Sequence, residues 1–110
     1  MSLSVTTYSR DQETDQIIDD PYPENGEDLA GPESWRLTVW GAQSKGYGAT
    51  VLPRLANEDL YIEGAELFRF LDECHVLLNA FDSEPISHRL SNMIRAGERA
   101  ILNGGGVLIS

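Results

Sequence analysis

Residues 64 to 109, GAELFRFLDECHVLLNAFDSEPISHRLSNMIRAGERAILNGGGVLI, hold the clearest folding information in the chain. Leu67, Leu71, Cys74, Leu78 and Phe81 recur at spacings of 4, 3, 4 and 3, with Phe68, Phe70 and Leu77 widening the stripe. Residues three and four apart share one helix face, so this period predicts an amphipathic helix that begins after Gly64. Asp82 or Ser83 serves as cap for a second helix, Pro85 fits its first turn, and Ile86, Leu90, Met93, Ile94, Gly97 and Ile101 form its apolar side. A glycine inside a helix costs about 1 kcal/mol relative to alanine, and Gly97 therefore predicts a close approach of the two helices. Asn103-Gly104 ends the second helix, and Gly104-Gly105-Gly106 reads as a helix stop and flexible joint. Val107-Leu108-Ile109 is expected as a short buried strand or a terminal plug.

Upstream of Gly64 the period changes. Trp35, Leu37 and Val39 alternate with Arg36, Thr38 and Trp40, which predicts a strand with one wet face. Gly41, Gly46 and Gly48 bracket a loop, and Ala49 to Leu52 resumes an extended pattern, so the two segments are expected as an antiparallel hairpin. Pro53 suits a strand end, and Asp59 to Glu63 is a candidate third strand. Trp35 and Trp40 have opposite parity in such a strand, which exposes one of them unless the N-terminal residues or a second copy cover it. The expected fold class is α+β: a small mainly antiparallel sheet, ββ(β)αα(β), with two helices packed on one face, plus an acidic N-terminal arm.

The arm is expected over residues 1–33 and a single α+β domain over 34–110. The first 33 residues carry nine acids against Arg10 alone, a net charge of −8, and the remainder is only −2. Few apolar residues and high net charge do not repay the roughly 1–2 kcal/mol per residue of backbone ordering, so the arm is read as flexible or ordered by a partner. Two exceptions lie within it: Leu3 to Tyr8 alternates as a half-buried strand does, and Ile17-Ile18 beside Tyr22 offers an apolar anchor.

Over all 110 residues the formal charge is −10 and the pI about 4.4, which opposes unaided binding to a phosphate backbone. No apolar run approaches the roughly 18–20 residues that span a bilayer, and no basic-then-apolar leader opens the sequence, so a soluble, cytoplasmic protein is expected. The single cysteine, Cys74, permits no internal disulfide and no cysteine-rich zinc site. Charge is also segregated along the domain: residues 34–57 sum to +3, 58–84 to −7 and 85–110 to +2. Either the acids are the solvated side of the first helix, or they form a surface presented to a basic partner.

Motifs for nucleotide, redox or zinc chemistry are missing from the sequence: it has no Walker A pattern, strand-linked GxGxxG, CxxC or HExxH. Cys74 and His75 are adjacent, and adjacent helix residues diverge by about 100°, so they make a poor nucleophile and base. Asp72 and His75 at i and i+3 are two metal-ligand types, short of a site. No catalytic residue, metal or cofactor is therefore expected. The leading expectation is a non-enzymatic interaction protein that binds a basic protein surface through Asp19, Asp20, Glu27 and Asp28 of the arm, Trp40 and Tyr47 of the hairpin, and Glu66, Asp72 and Glu73 of the first helix. Inhibitor, immunity and antitoxin proteins, and phage anti-defence proteins that mimic nucleic-acid charge, meet those physical requirements. Two alternatives carry other expectations. One is a small-ligand, nucleotide-like site between the 41–54 hairpin and the second helix, using Lys45, Tyr47, Arg89 and Arg95. The other is a structural subunit of a larger assembly or virion; separately, a homodimer through the exposed tryptophan face is a candidate partner arrangement. Neither direct nucleic-acid contact nor a membrane partner is expected.

Overall fold

The computed structural model describes residues 2–19 and 29–110. Over these residues the architecture is α+β, with five strands in a small mostly antiparallel sheet and three helices. The strands are β1 (Ser2–Arg10), β2 (Ile17–Asp19), β3 (Leu29–Pro32), β4 (Leu60–Glu63) and β5 (Gly106–Ile109). A short helix α1 (Ser44–Gly46) precedes two long ones, α2 (Ala65–Ala80) and α3 (Glu84–Asn103).

The sheet runs β2-β1-β5-β4, and β3 joins β1 beside its first residues. Val5 to Tyr8 pair antiparallel with Ile109 to Gly106, and Leu60 to Glu63 pair with the same β5 residues from the other side. Alternation then sends Leu3, Val5, Leu60, Ile62, Val107 and Ile109 to one face, all fully buried. They pack on Leu67, Phe70, Cys74 and Leu77 of α2 and on Leu90, Met93, Ala96 and Ala100 of α3. The opposite face carries Thr6, Tyr8, Leu108 and Tyr61, the last about half exposed.

The acidic arm expected over residues 1–33 is therefore not an appendage over Ser2–Arg10. β1 lies between β5 on one side and β2 and β3 on the other, and Leu3, Val5 and Tyr8 are 0%, 0% and 2% exposed. Its apolar-polar alternation was legible; its central position was not, because its pairing partner lies about a hundred residues away in sequence. Ile17 and Ile18, read as a surface anchor, form the edge strand β2 and stay largely exposed. β3 is held from two further elements. The Trp40 indole N–H donates to the Ala30 carbonyl at 2.7 Å, and Asn92 of α3 donates to the Leu29 carbonyl at 2.9 Å. Gly31, at φ +104°, lies so close under the Trp35 ring that a Cβ there would fall 2.2 Å from it.

The antiparallel hairpin expected of segments 35–40 and 49–52 is also corrected. Glu33–Arg36 forms a 3₁₀ turn, Thr38–Gln43 a π-type turn closed by the Ala42 N–H on the Leu37 carbonyl (3.0 Å), and Leu52–Ala56 a second 3₁₀ turn with Pro53 in it. An apolar run this short satisfies both periods: Trp35, Leu37 and Val39 fit alternation, while Trp35 and Val39 also fit one helical face. Burial separates the two, since Val39 and Trp40 are buried neighbours and Leu37 is 66% exposed. The π turn brings the Gly41 Cα against the Arg36 carbonyl, where a Cβ would sit 2.6 Å away. Trp35 and Trp40 do not point to opposite faces; their rings meet edge to face at 6.0 Å, and Trp40 is wholly buried.

Both long helices lie where their periodicity places them, as do the strands at 60–63 and 106–109. Gly97 admits the Leu71 side chain so closely that a Cβ would be 2.6 Å from its Cδ2, the close helix approach expected of it. Ile101, expected on the buried side of α3, is 37% exposed; Ala96 and Ala100 occupy that face. The glycine triplet does more than stop a helix. Gly104 takes the left-handed cap conformation (φ +66°), Gly105 passes against the Tyr8 carbonyl, and Gly106 lies in β5 under the Tyr8 ring.

Candidate functional site

The chain between α1 and β4 folds against α2, and the seam between them is where the charged residues meet. Gly48 has φ +89°, and the turn it allows presents three successive backbone N–H groups to one carboxylate. Glu73 accepts from Thr50 N at 2.9 Å, Val51 N at 3.0 Å and Leu52 N at 3.3 Å, and from the Thr50 hydroxyl at 2.9 Å. These are the free donors at the start of the Leu52–Ala56 turn, whose own cap residue Val51 supplies no side-chain bond. Glu73 thus caps that turn from another element and fastens it to α2.

The charge segregation along the sequence resolves into internal pairing. Arg54 grips Glu66 through two bonds, Nη1 to Oε2 at 3.1 Å and Nη2 to Oε1 at 2.8 Å, and lies 3.4 Å from Glu58. Arg36 reaches Asp59 at 2.6 Å, also binds Glu33, and donates to the Leu55 and Glu58 carbonyls. Glu63 accepts from Tyr8 Oη at 2.8 Å and from Arg10 Nε at 3.0 Å. Partial burial pushes the Glu63 carboxyl up, but the Arg10 and Tyr8 bonds outweigh it and the net direction is down. Burial first, then the Glu63 bond, drives the Tyr8 phenol well above its ordinary range.

Of the eight acids between 58 and 84, Asp72, Asp82 and Glu84 have carboxylates left without a hydrogen bond or ion pair among the described residues. Asp72 lines a groove of about 430 Å³ between the Tyr47–Thr50 loop and α2, together with Arg69, Glu73, Val76 and Leu77. Tyr47 is 51% exposed and rests edge-on against Phe81 at 5.3 Å between ring centroids, while Val76 is 54% exposed. A second hollow of about 650 Å³ opens across Ala49 and Thr50, lined by Leu37, Ala42, Lys45, Pro53, Arg54 and Ala56 among others.

The residues expected to bind a partner thus separate into groups. Tyr47, Asp72 and Glu73 come together at the groove, although Glu73 is committed to backbone amides. Glu66 is occupied by Arg54, and Trp40 is interior, which removes it as an exposed anchor. Asp19 lies in β2, and Asp20, Glu27 and Asp28 fall outside the described residues. The alternative ligand set is not assembled: Lys45 and Tyr47 line different hollows, and Arg89 and Arg95 line neither. Arg95 instead bonds Asn92 on the β3 side of α3.

Sequence reading missed Val76, Thr50, Arg69 and Leu37. An apolar residue on the wet side of a helix was the available signal for Val76; nothing local marked the others. The Cys74 thiol is fully buried and pushed far above its ordinary range by that burial, while His75 is exposed. No three His, Cys, Asp or Glu side chains gather as metal ligands among the described residues, and no helix there is long and apolar enough to cross a membrane. The chain matches no protein-family model, no curated protein and no solved structure.

Proposed function

We propose that this protein is a non-catalytic interaction module that takes a basic residue of a partner protein into the groove between Tyr47 and α2. The observation that carries the reading is Asp72. It is an exposed carboxylate with no hydrogen-bond or ion-pair partner among the described residues, beside an exposed aromatic ring and an exposed valine, and the other acid of the groove is already bonded. An arginine or lysine there pairs with Asp72, lays its aliphatic stem on Val76 and sets its cation near the Tyr47 ring. The last turn of α2 contains no basic residue, so the helix end adds negative potential on the same side. Inhibitor, immunity, antitoxin or anti-defence proteins that capture a basic protein are the functional class this recognition suits.

The test is a titration of the isotope-labelled full chain with an unstructured arginine-containing peptide, followed by amide shifts, with a glutamate-substituted peptide as control. Support is a set of shifts clustered on Tyr47, Thr50 and Val76 that shrinks at higher salt and vanishes in Asp72→Asn. Shifts scattered over every acidic surface, or unchanged in Asp72→Asn, refute it.

A further inference from the structure

We infer that the occupant of the groove is a bipartite segment, one basic residue followed or preceded closely by one apolar residue, rather than a polybasic stretch. This rests on the reading that the groove takes a basic residue.

The two hollows share Ala49 and Thr50 as a common wall, so one extended peptide crossing that ridge enters both. Their charges differ. Asp72, Glu73 and Arg69 line the first, leaving it negative, while Lys45 and Arg54 line the second and no acid does. Arg54 is held by Glu66 and Glu58, but the Lys45 ammonium makes no hydrogen bond or ion pair among the described residues. A second cation placed in that hollow meets like charge and is rejected.

What the second hollow offers instead is apolar surface: Leu37, 66% exposed, faces the same space as Ala42, Pro53 and Ala56. A lone exposed leucine is ordinary. One that borders a concavity adjoining a charged groove across Ala49 and Thr50 provides an anchor point for a partner's leucine, valine or aromatic side chain. Adjacent positions of an extended strand advance about 3.3 Å, and successive side chains alternate, so a spacing of one to three residues is scanned rather than assumed.

The experiment uses the full chain and four kinds of short peptide of otherwise identical neutral sequence: arginine alone, leucine alone, arginine with leucine at each spacing, and arginine at both positions. Affinity is read by calorimetry or fluorescence anisotropy. The arginine-leucine peptide at its best spacing is expected to bind about tenfold tighter than arginine alone, the gain from burying part of a leucine side chain. The double-arginine peptide is expected to gain less than twofold. Leu37→Ser, at a position too exposed to endanger the fold, is expected to abolish the leucine advantage and leave the arginine-only affinity unchanged. Asp72→Asn is expected to weaken both arginine peptides.

Equal affinities for arginine alone and arginine-leucine, or a double-arginine peptide that binds best, overturn the bipartite inference and leave the basic-residue reading standing. Failure of every arginine peptide to bind overturns the proposed function itself. A dimer of the free chain in sedimentation that Leu37→Ser dissolves also overturns the inference, since a second copy would then own the hollow.

Discussion

Removal of residues 1–33 is expected to unfold the protein rather than to trim it. Leu3, Val5 and Tyr8 are buried to within 2% of completely. Each fully buried side chain of this kind contributes about 1.5–3 kcal/mol, so the three together supply about 5–9 kcal/mol. That rivals the roughly 5–15 kcal/mol by which a whole domain is stable. The loss continues beyond the side chains. β5 forfeits its pairing with Val5 to Tyr8 and becomes an open edge, and the Trp40 indole N–H, buried and deprived of the Ala30 carbonyl, costs about 1–3 kcal/mol more. Residues 34–110 produced alone should give collapsed amide dispersion and a urea profile without a cooperative transition. Adding a synthetic peptide of residues 1–33 should restore both, because strand and core positions are complementary. A cooperative transition for residues 34–110 within about 2 kcal/mol of the full chain would show that β1 only decorates the domain, and would refute the reasoning.

Three further outcomes follow from particular contacts. Gly106→Ala places a Cβ 2.5 Å from the Tyr8 ring and 2.7 Å from the Ile62 carbonyl, and such overpacking costs about 1–3 kcal/mol; a urea midpoint equal to wild type counts against it, and the penalty should be partly relieved in a Tyr8→Ala background. The folded-state pKa of Glu63 lies below its unfolded value near 4.3, so its stabilisation is present above that pH and drains away as pH falls below it; Glu63→Gln should flatten that part of the acid limb while leaving the profile above about pH 6 parallel to wild type. Cys74, sealed in the core, should react with a thiol reagent only as fast as the molecule unfolds, and native labelling at the rate of a free thiol would contradict its burial.

The helices were legible because each is long enough for its period to be unambiguous. Leu67, Phe70, Cys74 and Leu77 on α2, and Leu90, Met93 and Ile94 on α3, follow local rules that need no knowledge of the rest of the chain. Gly97 could be read for the same reason: a helix breaker within a strong helix signals a packing demand. The 33–56 segment was misread because its apolar runs are shorter than one helical repeat needs to declare itself, and because its turns are stabilised from outside. Glu73 on α2 supplies the cap for Leu52–Ala56, and the Ala30 carbonyl receives the Trp40 indole. Composition misled about the N-terminus in the opposite way. Acids between Asp11 and Glu33 dominate the average and mask nine residues that form an inner strand.

The candidate site shares that division. Tyr47, Asp72 and Glu73 were named from residue type, yet which of them remains available depends on where the chain's cations and free amides fall in space. Sequence alone determined the helical hairpin, the strands at its two ends, the α+β class and the large excess of negative charge, since each depends on local period or on counting. Only the tertiary structure decided that β1 is interior, that Trp40 is a core residue, and that most of the acids between 58 and 84 are spent on Arg10, Arg36, Arg54 and backbone N–H groups. Those outcomes depend on residues from 10 to about 100 positions apart meeting, and ion pairing and strand pairing leave no periodic trace in the order of the amino acids.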